Sequence, residues 1–174
     1  MSNIQDKARK IKLVLLDIDG VMTDGRMIYD NRGNELKNFN VNDGLGIFLI
    51  KKAGIKTAII TAQSSNIVKR RAKVLSIDKV YADYHYKIEA LGDIKQKFRV
   101  QEDEICFVGD ELIDMPILKR VGLAVAVSNA INEVKKIAHV ITEKSGGKGA
   151  VREVCELILK AQGKWDEVTA VYFE

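Results

Sequence analysis

Short apolar runs alternate with amphipathic stretches along most of the chain, and this alternation constrains the fold more than any other feature. The runs are rich in β-branched residues and predict strands, whereas the stretches between them have helical periodicity. Strands that are apolar at every position, rather than at alternate positions, are typical of a parallel sheet with helices on both faces. The sequence therefore predicts a three-layer, Rossmann-like α/β fold.

The boundaries of these elements follow from the same pattern. The predicted strands span residues 12–18, 56–61, 79–81, 104–108, 123–127 and 139–141. The predicted helices span residues 43–53, 64–75, 86–98, 111–120, 131–138 and 150–162.

One segment, residues 25–40, departs from the alternation. Two short predicted strands, 26–29 and 36–40, flank the turn-forming residues 30–34, which is the pattern of a β-hairpin. The hairpin follows the first strand directly, where a parallel fold normally places a helix. We interpret it as a flap beside the functional site, within one domain that spans residues 1–174.

Charge and cysteine usage narrow the possible functions. The net charge is +4, but acidic and basic residues are interleaved and no basic block is present, so we expect no nucleic-acid partner. Cys106 and Cys155 form no metal-binding or redox motif, and we expect both to be buried as small apolar residues. Residues 1–10 lack the apolar core of a signal peptide and no run has membrane-spanning length, which predicts no membrane association and a cytoplasmic location.

Acidic residues follow the first predicted strand. Asp17 and Asp19 are two positions apart in extended chain, so their carboxylates point to the same side. The two carboxylates repel each other unless a cation lies between them. A solvated turn is the alternative interpretation, but the fully apolar run before Asp17 favours a buried site.

Other strand ends carry weaker signals. Thr61 ends the second strand, where its hydroxyl could bind phosphate or could simply form part of the helix entrance. Lys87 lies in the first turn of a predicted helix, where its positive charge interacts unfavourably with the helix dipole. This position favours a nearby anion, although solvated lysines are common.

Asp110 and Asp114 follow the fourth strand at a spacing that suits Mg²⁺, and helix capping is the alternative. The loop 146–149 is either an anion-binding loop or a flexible one.

These signals, in this order, resemble the four motifs of the haloacid dehalogenase superfamily: residues 17–25, Thr61, Lys87 and residues 109–114. More narrowly, this chain resembles the 3-deoxy-D-manno-octulosonate 8-phosphate phosphatases over about residues 10–164, in the Asp-Gly pair 24–25, the hairpin, the segment 39–46 and the glycine-rich stretch 146–153. The resemblance implies a magnesium-dependent phosphatase without a large cap domain. Its substrate would be the phosphate monoester of a sugar acid, hydrolysed through an aspartyl-phosphate intermediate.

The resemblance also implies roles for individual residues. Asp17 would be the nucleophile, and Asp19 the general acid and then the general base. Thr61 and Lys87 would neutralise the phosphoryl oxygens. The implied Mg²⁺ ligands are Asp17, Asp110 and Asp114, directly or through water, with the main-chain carbonyl of Asp19. The candidate substrate-binding residues are Gln63, Arg71, Lys148 and Gly44.

The second motif departs from the family pattern. Relatives carry Thr-Gly-Arg or Thr-Gly-Glu, whose third residue is thought to choose between eight- and nine-carbon substrates, whereas this chain has Thr61-Ala62-Gln63. The nine-carbon enzymes carry a lysine near position 74, and here it is Val74. We favour the eight-carbon substrate, with a nine-carbon sugar-acid 9-phosphate as the alternative.

Two functions of other classes are compatible with parts of this pattern. A phospho-receiver signalling domain also uses an aspartate, a threonine and a lysine at successive strand ends, but it has no use for Asp19 and places its metal-binding acids early in the chain. A non-catalytic assembly domain would not need the complete set of acidic residues, Asp17, Asp19, Asp110 and Asp114.

The flap also predicts self-association. Met27, Ile28, Leu36 and Phe39 lie on short strands with open edges, which a stable protein must cover. The apolar end 171–173 could dock on a neighbouring copy in the same way. We expect a homo-oligomer, a tetramer by the family resemblance.

Overall fold

The computed structural model describes residues 2–174, and its central element is a parallel sheet. The strands, in chain order, are β1 (Leu13–Leu16), β2 (Ile28–Tyr29), β3 (Glu35–Leu36), β4 (Lys56–Ile60), β5 (Lys79–Tyr81), β6 (Ile105–Gly109), β7 (Leu123–Ala126) and β8 (Val140–Ile141). Six of them form one sheet in the order β5-β4-β1-β6-β7-β8, in which all paired strands are parallel. β2 and β3 pair antiparallel as a separate hairpin.

Helices connect the strands. In chain order they are α1 (Ser2–Arg9), α2 (Val41–Lys52), α3 (Asn66–Val74), α4 (Leu91–Phe98), α5 (Met115–Leu118), α6 (Asn132–Ile137), α7 (Ala150–Ala161) and α8 (Trp165–Thr169). One group, α1, α2, α7 and α8, packs together, and a second group consists of α5 with α6 and the 3-10 turn that precedes α4. Every residue of β1, β6 and β7 is buried, so helices cover both faces of the sheet. The predicted three-layer architecture is confirmed.

Two short helices were not predicted. The first, α1, carries mostly polar residues, and only Ala8 contributes a fully buried apolar side chain from its last turn. The second, α8, follows Gly163 and buries Val168 and Thr169. Both helices are stabilised by packing on α7 rather than by a strong periodic pattern of their own, which is why the sequence pattern does not predict them.

The predicted hairpin is present, but its strands are shorter than expected. Asp30 closes the turn: its Oδ1 accepts hydrogen bonds from the main-chain N–H groups of Arg32 and Asn34, both at 2.8 Å. Met27 and Leu36 are exposed, as predicted. Ile28 and Phe39 are instead half-buried. Phe39 packs against the core, so the hairpin exposes less apolar surface than the sequence suggests.

Both cysteines are free and buried, as predicted for small apolar core residues. Among the helices of residues 2–174, none has the length and apolarity that crossing a lipid bilayer requires.

Candidate active site

Three neighbouring strands bring reactive side chains to one edge of the sheet. The last residue of β1 lies opposite Ile59 of β4 and Val108 of β6. Because the strands are parallel and in register, the residues that follow them, Asp17, Thr61 and Asp110, meet at the carboxyl edge. The order of the strands along the chain reverses at β1, because later strands are added on both of its sides. Open α/β sheets bind ligands at such a point.

These three residues line a cavity of about 270 Å³. The rest of its lining consists of Asp19, Gly25, Ala62, Gln63, Glu111 and Ile113. A larger cavity, of about 630 Å³, lies at the opposite edge of the sheet around Lys12 and Lys56, and none of the predicted site residues lines it. The residues that can do chemistry therefore identify the smaller cavity as the candidate site.

A fully buried cation lies behind this cavity. The Nζ atom of Lys87 donates hydrogen bonds to Asp17 Oδ1 and Asp114 Oδ1, both at 2.6 Å. Burial alone would lower the pKa of Lys87, but the two carboxylates outweigh burial and raise it above its ordinary value. Lys87 is therefore an ammonium ion, and its unusual position at the start of a helical turn is explained by the two acids it contacts.

The environment of Asp17 disfavours its ionised form. Burial, followed by repulsion from the Asp114 carboxylate, raises the pKa of Asp17 to about 7, although Lys87 acts in the opposite direction. A carboxylate in this position needs more positive charge than Lys87 supplies if it is to be fully ionised at neutral pH.

Asp110 shows the same deficit of positive charge. Burial, and then the charges of Asp17 and Asp114, raise its pKa to about 8. Its Oδ1 atom is buried without a hydrogen-bond partner in the described part of the chain. Carboxylate oxygens of Asp17, Asp110 and Asp114 lie within 4.8 Å of one another. An all-oxygen set with an unpaired buried acceptor fits a hard divalent cation such as Mg²⁺.

Asp114 is the most heavily hydrogen-bonded of these acids. Its Oδ2 accepts from the main-chain N–H groups of Asp110 at 2.9 Å and Glu111 at 3.2 Å, while its Oδ1 accepts from Lys87. Asp114 therefore holds the loop after β6 and the ammonium group of Lys87 in fixed positions. Its implied role as a metal ligand, direct or through water, stays a prediction.

Glycines allow the loop after β1 to approach Asp110 closely and the glycine-rich loop to pack on that first loop. Gly20 has a φ of +92°, and a Cβ atom there would overlap Asp110 Oδ2. A Cβ at Gly146 would overlap the carbonyl oxygen of Gly20. Asn129 joins the two loops, because its Nδ2 donates to Gly20 O at 3.0 Å and its Oδ1 accepts from the Gly146 N–H at 2.6 Å. The glycine-rich loop thus packs directly on the loop that follows β1. No motif in the sequence predicts this role of Asn129.

Asp19 lies at the mouth of the cavity and contacts the hairpin. The Nζ atom of Lys37 donates to Asp19 Oδ1 at 2.5 Å and to Glu35 Oε1 at 2.9 Å. The carboxylate of Asp19 is outside the cluster that Asp17, Asp110 and Asp114 form. Its predicted contribution to metal binding is through its main-chain carbonyl, and this stays a prediction. The sequence indicates Lys37 and Glu35 only through a spacing that places both on the same side of an extended chain.

Two of the predicted substrate-binding residues lie at or near the cavity. Gln63 is exposed on its lining, and its main-chain N–H donates to Thr61 Oγ1 at 3.3 Å. Lys148 is exposed in an adjoining pocket of about 190 Å³, which also contains Asp24 and Arg26. Consecutive residues line the two pockets, since Asp24 of this pocket directly precedes Gly25 of the candidate site.

The other two lie elsewhere and contact each other. A Cβ at Gly44 would lie 3.0 Å from Arg71 Nη2, which donates to the carbonyl oxygen of Asn40 at 3.2 Å. The Arg71 guanidinium also lies 5.4 Å from the ring centroid of Phe39. Neither residue lines the cavity. Within one chain, Arg71 joins α3 to the segment that leads into α2.

Comparisons with known proteins agree with this geometry. The model of the haloacid dehalogenase-like hydrolase family matches residues 27–154. The chain is 44% identical over 161 residues to the 3-deoxy-D-manno-octulosonate 8-phosphate phosphatase KdsC of Escherichia coli K12, an alignment that covers 92% of this chain and 86% of the relative.

Solved structures give the same result. The 3-deoxy-D-manno-octulosonate 8-phosphate phosphatase of Moraxella catarrhalis, in complex with magnesium, phosphate and KDO, is similar with a TM-score of 0.96 at 41% identity, over 99% of both chains. The cobalt-bound deoxy-D-mannose-octulosonate 8-phosphate phosphatase of Haemophilus influenzae is similar with a TM-score of 0.90 at 36% identity, over 96% of this chain and 98% of that one.

Proposed function

The chain belongs to the haloacid dehalogenase-like hydrolases and, within them, to the 3-deoxy-D-manno-octulosonate 8-phosphate phosphatase family, and on this premise we propose that it hydrolyses that sugar-acid phosphate. One observation supports the proposal above all others. A buried carboxylate, Asp17, accepts a hydrogen bond from the ammonium group of Lys87 and has an oxygen within 4.8 Å of a carboxylate oxygen of Asp110, whose Oδ1 is unpaired in the described residues. This arrangement suits a nucleophile that attacks an anionic phosphoryl group.

In the first half of the proposed reaction, a carboxylate oxygen of Asp17 attacks phosphorus in line with the sugar oxygen. The bond between phosphorus and that oxygen breaks, and its electron pair stays with the sugar. Asp19 gives its proton to the departing oxygen. Lys87 and the hydroxyl of Thr61 stabilise the charge on the phosphoryl oxygens. The products are the free sugar acid and a phosphorylated Asp17.

In the second half, water attacks the phosphorus of this aspartyl phosphate. Asp19, now a carboxylate, takes a proton from the water. The bond between phosphorus and the Asp17 oxygen breaks, which restores the Asp17 carboxylate and releases inorganic phosphate.

Asp17 and Asp110, with Asp114 beside them, would hold Mg²⁺, which would supply positive charge to offset that of the carboxylates and the phosphoryl oxygens. The unpaired Oδ1 of Asp110 and the raised pKa values of Asp17 and Asp110 support this assignment.

The sugar-acid end of the substrate would extend from the cavity toward the adjoining pocket. Gln63 lines the cavity, whereas Lys148 and Arg26 bring two cationic side chains to the adjoining pocket. Cations there would pair with the substrate carboxylate. Gly44 and Arg71 would act in substrate binding only through contacts with a neighbouring copy.

The phospho-receiver and assembly-domain alternatives have less support. The relatives reported above are phosphatases, and the acidic set is complete. A receiver also gives no role to Asp19, which lines the cavity beside Asp17.

A panel of phosphorylated eight- and nine-carbon sugar acids tests the proposed substrate. We expect kcat/KM for 3-deoxy-D-manno-octulosonate 8-phosphate to exceed that for nine-carbon 9-phosphates by about tenfold or more, the range that modest pocket contacts provide. Phosphate release, measured with each compound at several concentrations, gives the comparison. A preference for a nine-carbon compound would overturn the substrate while leaving the phosphatase activity in place.

We also propose that the chain forms a homo-oligomer, most simply a tetramer. The exposed side chains Met27, Tyr29 and Leu36 lie on the two-stranded hairpin, and Tyr172 and Phe173 are exposed at the chain end. Such edges and apolar side chains favour pairing with other copies. Analytical ultracentrifugation at micromolar concentration should give the mass of a tetramer. A fully active monomer would contradict the proposal and would remove Gly44 and Arg71 from the substrate-binding set.

A further inference from the structure

Lys37 has the most unusual environment of the hairpin side chains. Although it follows the short strand β3, its side chain is only 1% exposed. Its Nζ atom contacts two acids, Asp19 at 2.5 Å and Glu35 at 2.9 Å. Lys37 is therefore a buried ammonium ion held between two carboxylates.

The hairpin is also anchored on its other side. Glu35 Oε2 accepts a hydrogen bond from Ser65 Oγ at 2.8 Å, and Ser65 lies at the start of α3. One continuous chain of contacts therefore runs from α3 through Ser65, Glu35 and Lys37 to Asp19. Asp19 is 29% exposed at its side chain, and the only ion pair it makes in the described residues is with Lys37.

We propose that Lys37 is a positioning residue: it binds Oδ1 of Asp19 and so orients Oδ2, the oxygen that carries the proton given to the sugar oxygen. The inference rests on the proposed function, because it assigns Lys37 to the acid–base step of that reaction. A side chain with two rotatable bonds at a cavity mouth has several orientations in water. The ammonium group of Lys37, fixed from behind by Glu35, selects one of them.

The charge of Lys37 also matters when Asp19 gives up its proton. The carboxylate that then remains on Asp19 lies close to Asp17 and to the phosphoryl group. Both of these also carry negative charge, which disfavours a further anion. An ammonium ion already in contact stabilises this carboxylate without any rearrangement. It then holds the same oxygen in place while Asp19 acts as the base toward water.

This role predicts a dependence on the leaving group. A sugar oxygen departs only when it receives a proton, whereas a nitrophenolate departs as a stable anion and needs no acid. Since kcat/KM reports the steps up to departure of the leaving group, it isolates the acid role of Asp19 from its later role as base. Comparing kcat/KM for the two kinds of substrate therefore measures what Lys37 contributes through Asp19.

The experiment uses Lys37→Met with 3-deoxy-D-manno-octulosonate 8-phosphate and with p-nitrophenyl phosphate. We expect kcat/KM to fall about 100-fold for the sugar phosphate, the size of effect that a small misplacement produces, and less than about threefold for the aryl phosphate. Lys37→Arg, which keeps the charge and the donors, should recover most of the loss. Arg32→Gln, at the exposed turn of the same hairpin, is the matched control and should leave both values unchanged.

Equal losses for both substrates would overturn the proposal, because they would show a general collapse of the hairpin or the site. The proposed function is judged separately, by turnover of the sugar phosphate by the wild type, and no result with Lys37→Met alters that turnover. An unchanged value for the sugar phosphate would also overturn the role of Lys37.

A double-mutant cycle separates positioning from direct substrate contact. In an Asp19→Asn background the acid is already lost, so adding Lys37→Met should lower kcat/KM for the sugar phosphate by less than about twofold further. A full additional loss of about 100-fold would mean that Lys37 contacts the sugar itself, and positioning through Asp19 would be wrong.

Discussion

Asp17→Asn is expected to lower turnover of the sugar phosphate by a factor of about 10³ or more, because the carboxamide keeps the shape of the side chain but cannot attack phosphorus. Steady-state phosphate release at saturating Mg²⁺ is the measurement. Asp103→Asn, an exposed acid at the opposite edge of the sheet, is the matched control and should retain wild-type activity. More than about a hundredth of wild-type activity in Asp17→Asn would contradict the role of Asp17 as nucleophile.

The same variant should fold normally. The pKa of Asp17 is raised to about 7 in the folded protein, so ionising this group costs stability as pH rises from its unfolded value of about 4 toward 7. The carboxamide of the variant has no charge to gain over this range. In metal-free protein at pH 8, urea denaturation should therefore give Asp17→Asn a free energy of unfolding no lower than that of the wild type. A clear destabilisation would show that the loss of activity reflects misfolding.

Removal of the metal ion is expected to lower turnover by about as much as Asp17→Asn does. Chelator should abolish activity and Mg²⁺ should restore it. Without the ion, the carboxylates of Asp17 and Asp110 repel each other and the incoming phosphoryl group. Zn²⁺ should restore little, since an all-oxygen site suits hard cations. Isothermal titration of metal-free protein provides the affinity, with Asp110→Asn as the variant expected to bind Mg²⁺ more weakly.

The affinity for Mg²⁺ should also depend on pH. The pKa values of Asp17 and Asp110, raised to about 7 and about 8 in the metal-free protein, mean that protons compete with the ion. Binding should therefore tighten as pH rises from 6 to 9, with protons released into the buffer. Full activity in metal-free protein, or binding that does not change over this range, would contradict the assigned metal site.

The parts of the site that the sequence predicts are those next to strand ends. Asp17, Thr61 and Asp110 directly follow apolar runs, so local pattern and the rules for parallel sheets bring them together. The sequence does not show why Lys87 begins a helical turn, because the two carboxylates that it contacts, Asp17 and Asp114, approach it only when the chain has folded.

The parts that the sequence does not predict depend on contacts between distant segments. Lys37 is 18 residues from Asp19, and Asn129 is 109 residues from Gly20, so no local spacing indicates either contact. The same reason applies to Arg71, which was expected at the substrate and in one chain contacts Asn40. The sequence pattern also does not predict α1, because its stability comes from packing on α7.

The most direct test of the account is to trap the covalent intermediate. Protein mixed with excess 3-deoxy-D-manno-octulosonate 8-phosphate and Mg²⁺, then quenched in acid within one turnover, should carry one phosphoryl group on the peptide that contains Asp17. The label should be absent from Asp17→Asn and should disappear when the wild type is allowed to complete turnover before quenching. Rapid phosphate release with no phosphorylated peptide, or a label on any other residue, would contradict nucleophilic catalysis by Asp17.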